Sequence, residues 1–205
     1  MKNKIINSEK VLSDYGNYLL IHGERPKNIF VFAKENHFDE KEFYQFFSSF
    51  EHLEKEILKH FFQKSLELSL EIEGYEDMSA KERLLNLYFI FFENLTMNRS
   101  LVLMILGKKN LSTLQKLHEL KSEHQNFIKT LDFNDLEILE KAKDSIKNFN
   151  EKSREEALWL HFLSIIEFWQ KDESPSFEKT DLFIEKTIDT GFEFLNNEPL
   201  KKIID

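Results

Sequence analysis

The chain has 205 residues, of which 41% are hydrophobic and 32% charged, which is the composition of a soluble, helix-rich protein of one domain or two small ones. Its lack of cysteine excludes disulfides, thiolate catalysis and cysteine zinc sites. A net charge of −9 at pH 7 argues against broad affinity for nucleic acid, although it leaves room for a local basic patch.

The N-terminal segment contains no long apolar run of the kind that marks a signal peptide. The longest apolar stretches, residues 87–92 and 101–106, are too short to span a bilayer. We therefore expect a cytoplasmic protein without a membrane partner.

Residues 6–22 are predicted to form the first helix, because their apolar side chains recur at helical spacing. Ser8 is the expected N-cap of this helix. The apolar positions are Val11, Leu12, Tyr15, Leu19 and Leu20.

Two short helices are predicted within residues 23–53. Gly23 ends the preceding helix, and Pro26 is expected to open the next one, since a proline at the first helical position loses no needed donor. Asp39 is the expected N-cap of the following helix, with Glu42 completing a capping box. The apolar face of that helix consists of Phe43, Phe46 and Phe47. Two short helices with this buried side indicate a helix-turn-helix.

The same stretch resembles the DNA-binding domain of the TetR family of transcriptional regulators. The positions that match the family's pattern without a gap are Gly23, Ile29, Phe32, Ala33, Phe38, Asp39, Tyr44, Phe47, Ser49, Glu51 and Leu53. Three residues depart from it: His37 stands at the usual turn glycine, Glu40 at a common basic position, and Phe50 at a phosphate-contacting lysine. The resemblance implies an all-α fold of about nine helices, with a three-helix DNA-binding domain over residues 1–53 and a ligand-binding and dimerisation domain over 54–205.

The predicted DNA contacts lie at the start of the second helix and along the third. Amide groups and side chains at a helix start can meet a phosphate, lysine and glutamine can read base edges, and tyrosine can reach phosphate. The predicted set is Arg25, Lys27, Asn28, Asp39, Glu40, Lys41, Tyr44, Gln45 and Ser49. Residues 1–57 carry eight basic and ten acidic side chains, so a helix-turn-helix kept as a scaffold without an operator is the alternative.

The rest of the chain is predicted to be helical, with no strand, because no segment alternates with a period of two. Capping boxes at Ser79–Glu82 and Ser153–Glu156 are expected to begin two of the helices. The predicted helices cover 49–72, 79–98, 99–107, 111–131, 134–149, 153–170 and 177–195, with loops at 73–77, 148–153 and 171–176. The acidic runs at 40–42 and 54–56 are mixed with lysine and read as exposed helix surface.

The 21 phenylalanines require a large core or a cavity. The Phe-rich segments 84–106 and 111–128 are predicted to enclose an apolar pocket, with ordinary core as the alternative. The predicted lining is Tyr88, Phe89, Phe92, Leu103, Leu117, His118, Phe127, Trp159 and Phe162, and further candidate polar groups are Asn94, Gln125 and His161. This lining favours an apolar, lipid-like or aromatic effector.

The resemblance implies that the last two helices pair with their copies in a second subunit as a four-helix bundle. Large apolar side chains of the kind that interfaces favour support a homodimer, with ordinary core again the alternative. The predicted interface consists of Leu158, Ile165, Ile166, Trp169, Ile184, Ile188, Gly191 and Phe192.

Sequence motifs for metal binding and catalysis are weak. His52, Glu56 and His60 share one helix face, but a solvated surface explains them better. Because no phosphate-binding glycine loop or nucleophile elbow occurs, we expect neither an enzyme nor a cofactor.

The leading hypothesis is a dimeric, ligand-responsive transcriptional repressor that binds operator DNA. The alternative is a TetR-like protein that binds a lipid or small molecule and has lost DNA binding.

Overall fold

The structure, a computed structural model, describes residues 6–107, 115–133 and 144–196. Within these ranges the chain forms nine α-helices and no strand, which confirms the predicted all-α fold. The helices are α1 (Ser8–His22), α2 (Ile29–Glu35), α3 (Glu40–Phe43), α4 (Phe50–Leu70), α5 (Ala80–Met97), α6 (Arg99–Leu106), α7 (His118–Thr130), α8 (Asp144–Lys171) and α9 (Glu178–Asn196). Single 3-10 turns occupy Tyr75–Asp77 and Pro175–Phe177.

The chain divides into two compact units. The first comprises residues 1–61 and 97–120, and the second comprises residues 62–96 and 121–205. Helices α4, α5 and α7 each contribute residues to both units. The predicted functional boundary after residue 53 differs from this division and stays a prediction.

Two helices begin at residues other than those predicted, because asparagines cap them. Asn7, not Ser8, is the N-cap of α1, and its side-chain oxygen accepts a hydrogen bond from the Lys10 backbone N–H at 2.8 Å. Asn28 caps α2 by accepting from the Val31 backbone N–H at 2.9 Å, so Pro26 lies before the helix instead of opening it. In both cases the side chain satisfies a backbone donor that would otherwise lack a partner.

Helix α8 overturns the predicted loop at residues 148–153. The helix is already formed at Asp144, so the predicted capping box at Ser153 lies inside it and starts nothing. The segment contains neither glycine nor proline, and nothing in its backbone chemistry stops a helix. Of the predicted helix over 134–149, residues 134–143 lie outside the described part of the chain.

The predicted helix over 111–131 is interrupted in the structure. Gln115 and Lys116 are helical, a turn occupies Leu117, and α7 begins at His118, while residues 111–114 lie outside the described ranges. The capping box at Ser79 is confirmed: the Glu82 carboxylate accepts from the Ser79 backbone N–H at 2.8 Å. Gly107 ends α6 as predicted, with a φ of 64° and an N–H that donates to Leu103 O at 2.9 Å.

In the first unit, α1, α2, α3 and the start of α4 enclose Phe32, which is fully buried. Its ring is edge-on to those of Tyr15, Phe43 and Phe50, at centroid distances of 5.8, 6.2 and 5.8 Å. Helix α6 packs on α1 at Gly16, where an added Cβ would lie 3.1 Å from a Leu101 methyl group. The small side chain therefore permits the close approach of these two helices.

In the second unit, one buried carboxylate organises the turn from α8 to α9. Asp172 accepts hydrogen bonds from the backbone N–H and hydroxyl of Ser174, and from those of Thr180, at 2.6 to 2.9 Å. Burial alone would raise the pKa of Asp172, but these four bonds hold it at about 2. One turn before Asp172, the Trp169 indole N–H donates to the Thr96 hydroxyl at 2.9 Å and links α8 to α5.

Candidate functional site

Helices α2 and α3 pack against each other across a tight turn at His37. This residue adopts a left-handed conformation, with a φ of 62°, at the position where the sequence pattern leads one to expect glycine. Histidine is one of the non-glycine residues that tolerate this region. The backbone N–H of the next residue, Phe38, donates to Ala33 O at 3.0 Å. The helix-turn-helix geometry is therefore retained despite the substitution.

Three of the predicted base- and phosphate-contacting side chains are exposed on or just after α3. Lys41 has 78% of its side chain exposed, and Tyr44 and Gln45 are exposed in the turn that follows. The regular helix covers only four residues, but Phe46 N–H and Phe47 N–H both donate to Phe43 O and continue its winding. These exposed groups can donate hydrogen bonds to phosphates or base edges.

Arg25, a predicted phosphate contact, is instead held in an ion cluster around a buried carboxylate in the first unit. Its Nε and Nη2 atoms donate to the two oxygens of Glu54 at 2.8 and 2.7 Å, and it also contacts Glu51. Glu54 is only 2% exposed. The Tyr15 hydroxyl donates to it at 2.7 Å, and Lys116 Nζ lies 3.0 Å away.

This cluster corrects the sequence-based interpretation of residues 54–56 as exposed helix surface. The hydrogen bond to Glu54 raises the pKa of Arg25, and burial together with the nearby carboxylate raises that of Tyr15. A guanidinium that forms bidentate hydrogen bonds with a buried carboxylate is held in one position. Arg25 therefore fixes the segment before α2 to α4, and its donors are engaged within the protein.

Several other predicted DNA contacts form helix caps. Asn28 caps α2, Asp39 is the N-cap of α3, and the Ser49 hydroxyl accepts from the His52 backbone N–H at 3.1 Å at the start of α4. Lys27 is exposed and Glu40 is half-buried. Of the predicted set, Lys27, Lys41, Tyr44 and Gln45 are thus exposed, whereas Arg25, Asn28, Asp39 and Ser49 hold the backbone or a neighbouring helix.

Phe50 occupies the position where the regulator pattern has a phosphate-contacting lysine, and its surroundings account for this departure. Its ring stacks on Tyr15 with centroids 5.1 Å apart and meets Phe32 and Phe43 edge-on. It belongs to the aromatic core of the first unit, so it cannot replace a lysine that contacts a phosphate.

The predicted ligand-pocket residues are divided between the two units. Leu103, Leu117 and His118 belong to the first unit, whereas Tyr88, Phe89, Phe92, Phe127, Trp159 and Phe162 belong to the second. The His118 side chain is 77% exposed, which corrects its assignment to a buried lining. Phe89 faces a cleft of about 380 Å³ on α5 and the segment before it, lined also by Met78, Glu82, Leu85, Asn86 and Ile90.

The buried aromatic residues of the second unit form one packed cluster around Phe162. Its ring centroid lies 5.0 Å from Tyr88, 5.2 Å from Phe91 and 5.8 Å from Trp159. Helices α5 and α8 supply these rings, and Phe62 on α4 meets Phe162 edge-on at 6.1 Å. These rings pack as a core, and the predicted apolar pocket among them stays a prediction.

A buried histidine, which the sequence analysis did not single out, lies in this cluster. His124 is fully buried, and its Nε2 atom is 2.7 Å from the Tyr88 hydroxyl. Its Nδ1 atom has no hydrogen-bond partner among the residues that the structure describes. Burial, reinforced by the neighbouring His161, lowers the pKa of His124 to about 3, so the ring is neutral at pH 7.

The signal that would have identified His124 is its helical spacing. Leu120, Phe127 and Ile128 are buried on α7, and His124 lies on the same face at intervals of four and three residues. His161, which was predicted as a polar candidate, bonds Thr187 on α9 at 2.7 Å, and burial lowers its pKa as well.

Most of the predicted dimer-interface side chains are buried within a single chain. These are Ile165, Ile166, Trp169, Ile184 and Ile188. A side chain enclosed by its own chain has no area left to bury against a partner. Leu158 and Phe192 are half-buried and Gly191 is exposed, so these three retain surface. Dimerisation itself stays a prediction.

Among the described residues, no group of three or more His, Asp or Glu side chains is placed to hold a metal ion. No single described helix is long and apolar enough to cross a membrane, although α5 and α6 reach that composition together as a bent pair.

A family model for the tetracyclin repressor-like C-terminal domain matches residues 83–205, which is more than half of the chain. No curated protein matches the chain significantly.

Proposed function

The chain belongs to the TetR family of regulators, and from this premise we propose that it is a dimeric, ligand-responsive repressor that binds operator DNA through α2 and α3. The observation that carries the proposal is the α2–α3 pair joined at His37, with Lys41, Tyr44 and Gln45 exposed. Such a pair presents its second helix to the major groove.

The proposed mechanism has two states. Two copies of α3 in a dimer meet successive major grooves about 34 Å apart in the DNA-binding state. An effector that binds more tightly to a second state, with a different spacing, releases the DNA through its differential affinity. Helix α4 supports this coupling because it carries Glu54 in the first unit and Phe62 in the second.

The test is binding of the full chain to the DNA upstream of its own gene, measured at several salt concentrations. We expect Lys41→Ala and Tyr44→Ala each to weaken specific binding by about tenfold, and Lys41→Ala also to reduce the salt slope by about one. Lys171→Ala, which changes an exposed lysine at the end of α8, is the matched control and should leave binding unchanged. Absence of a specific complex at low salt would refute the proposal.

A second candidate function is supported by the ion cluster at Glu54. Engagement of Arg25 by two carboxylates, and packing of the half-buried Phe50 ring against Tyr15, remove two contacts that would hold DNA. These observations favour a TetR-like protein that binds a lipid or small molecule without an operator. Native mass spectrometry separates the two candidates: a co-purified small molecule together with no DNA complex supports the second.

A further inference from the structure

The hydrogen-bonding state of His124 follows from the groups around it. If the Tyr88 hydroxyl donates to Nε2, both groups are satisfied, and within the described part of the chain only an Nδ1–H donor remains without a partner. If Nε2–H donates instead, the hydroxyl hydrogen and the Nδ1 lone pair both need other partners. The first arrangement leaves fewer unsatisfied groups. Leaving a buried donor unsatisfied is costly, so His124 carries an N–H for which an acceptor would be favourable.

The surroundings of His124 restrict the charge of any molecule that would supply this acceptor. The rings of Phe62, Tyr88, Trp159 and Phe162 lie with centroids 4.8 to 6.2 Å from the imidazole, and none of them carries a charge. An anion would be buried there without a counter-ion, at a large desolvation cost. A neutral molecule that is apolar apart from one acceptor meets no such cost.

Of the four rings around His124, Trp159 is the least enclosed. It is 6% exposed, whereas Phe62, Tyr88 and Phe162 are fully buried. One turn before it, Glu156 accepts from Lys121 at 2.8 Å and from Gln125 at 3.1 Å. Exposed polar contacts of this kind are weak, so they offer little resistance to separation of α7 and α8 beside Trp159.

We propose that His124 is the polar anchor of an effector site between α7 and α8, and that the site takes a neutral, largely apolar molecule with one hydrogen-bond acceptor. The molecule displaces the Trp159 ring and accepts a hydrogen bond from Nδ1–H. This inference rests on the ligand-responsive part of the proposed function and specifies its effector class.

The test compares three probes of similar size by isothermal titration calorimetry with the full chain. They are 2-acetylnaphthalene, which has an acceptor; 2-ethylnaphthalene, which has none; and 2-naphthoate, which is charged. We expect the ketone to bind about tenfold more tightly than either of the others. In His124→Phe this preference should fall to about twofold or less, whereas His118→Phe, at an exposed position of the same helix, should retain it.

A second measurement keeps the test valid if His124→Phe fails to fold. In the wild-type chain with ¹⁵N-labelled histidine, the Nδ1 resonance of His124 should shift on addition of the ketone and not of the hydrocarbon. Equal affinities for these two probes, tightest binding of the naphthoate, a preference that survives in folded His124→Phe, or no binding of the ketone would each overturn the inference.

The outcome is separable from that of the DNA experiment. If the chain binds its upstream DNA but shows no preference for the ketone, the repressor proposal stands and the effector class is wrong. If the ketone is preferred and no DNA complex forms, the effector site stands and the protein is the small-molecule binder without an operator.

Discussion

At the scale of single residues, two glutamates on one helix turn show how strongly burial affects the contribution of an ion pair to stability. Glu51 is 59% exposed and makes one contact with Arg25, whereas Glu54 is 2% exposed and bonds Arg25, Tyr15 and Lys116. When a buried carboxylate loses its charge, the cations that it binds are left without a counter-charge. An exposed ion pair avoids this cost, because water replaces the lost partner.

We therefore predict that Glu54→Gln lowers the free energy of unfolding by about 3 kcal/mol, because Arg25 and Lys116 lose their buried counter-charge. Glu51→Gln, the matched control, should lower it by about 0.5 kcal/mol or less. Urea unfolding at pH 7 measures both. Comparable losses in the two variants would show that the cluster does not have the burial described.

His124 makes a pH-dependent contribution to stability. An unfolded histidine binds a proton below a pKa of 6.5, whereas the buried ring does so only near 3. Between these values the unfolded state binds more protons, so the folded state loses stability as the pH falls from 6.5, by up to about 1.4 kcal/mol per pH unit. His161, whose pKa burial also lowers, acts in the same direction, and Tyr88 stays neutral throughout.

The expected outcome for His124→Phe is a shallower dependence of unfolding free energy on pH between about 6.5 and 4.5. The remaining slope should reflect His161 and the carboxylates. The measurement is urea unfolding at several pH values for the wild type and the variant. Parallel profiles would mean that His124 titrates normally and is accessible to solvent.

At the scale of elements, the chain contains the same capping pattern twice with different results. Ser79 and Glu82 begin α5, whereas Ser153 and Glu156 lie within α8. The pattern specifies a local hydrogen bond, but it does not determine whether the preceding residues are helical. In α8 they are, and Glu156 instead bonds Lys121 and Gln125 on α7.

This difference predicts opposite responses to the same substitution. Ser79→Ala should cost about 1 kcal/mol of stability, because α5 loses its cap. Ser153→Ala should be neutral or stabilise by about 0.5 kcal/mol, because alanine is the better residue inside a helix. Ser153→Pro should cost about 3 kcal/mol or more, although proline is tolerated at a true helix start. Thermal or urea unfolding measures the stability of each variant. If Ser153→Pro were as stable as the wild type, a helix would begin at residue 153.

The helix-turn-helix was predictable because its determinants are close together in sequence. Spacing located α2 and α3, and Asp39 with Glu42 marked the start of the second of them. The exact start of α2 was missed, because the Asn28 cap and the Pro26 signal compete within three residues and only the folded backbone shows which prevails.

At the scale of the whole molecule, the single chain has already buried most of the apolar side chains expected at a dimer interface. On α9, Gly191 is exposed, and an added Cβ there meets nothing within 4 Å. A glycine on an exposed helix face permits a second helix to approach closely. We therefore expect the proposed dimer to place Gly191 at its interface, beside the half-buried Phe192.

From this we predict that Gly191→Arg converts a dimer into a monomer of 24.6 kDa while leaving the fold intact, since arginine is accommodated in the single chain and is a better helix former than glycine. Gly191→Ala, the matched control, should remain a dimer. Analytical ultracentrifugation measures the mass, and circular dichroism checks the fold. A dimeric arginine variant would place the interface elsewhere.

The sequence by itself determined the helical class, the helix-turn-helix and the start of α5, because these depend on the 3.6-residue period and on side chains within a few positions of each other. The tertiary structure alone decided which polar groups are buried. Glu54 meets Tyr15 across 39 positions, and His124 meets Tyr88 across 36. A carboxylate or imidazole looks the same in sequence whether it faces water or a distant ring, since its burial is set by the helices that pack over it.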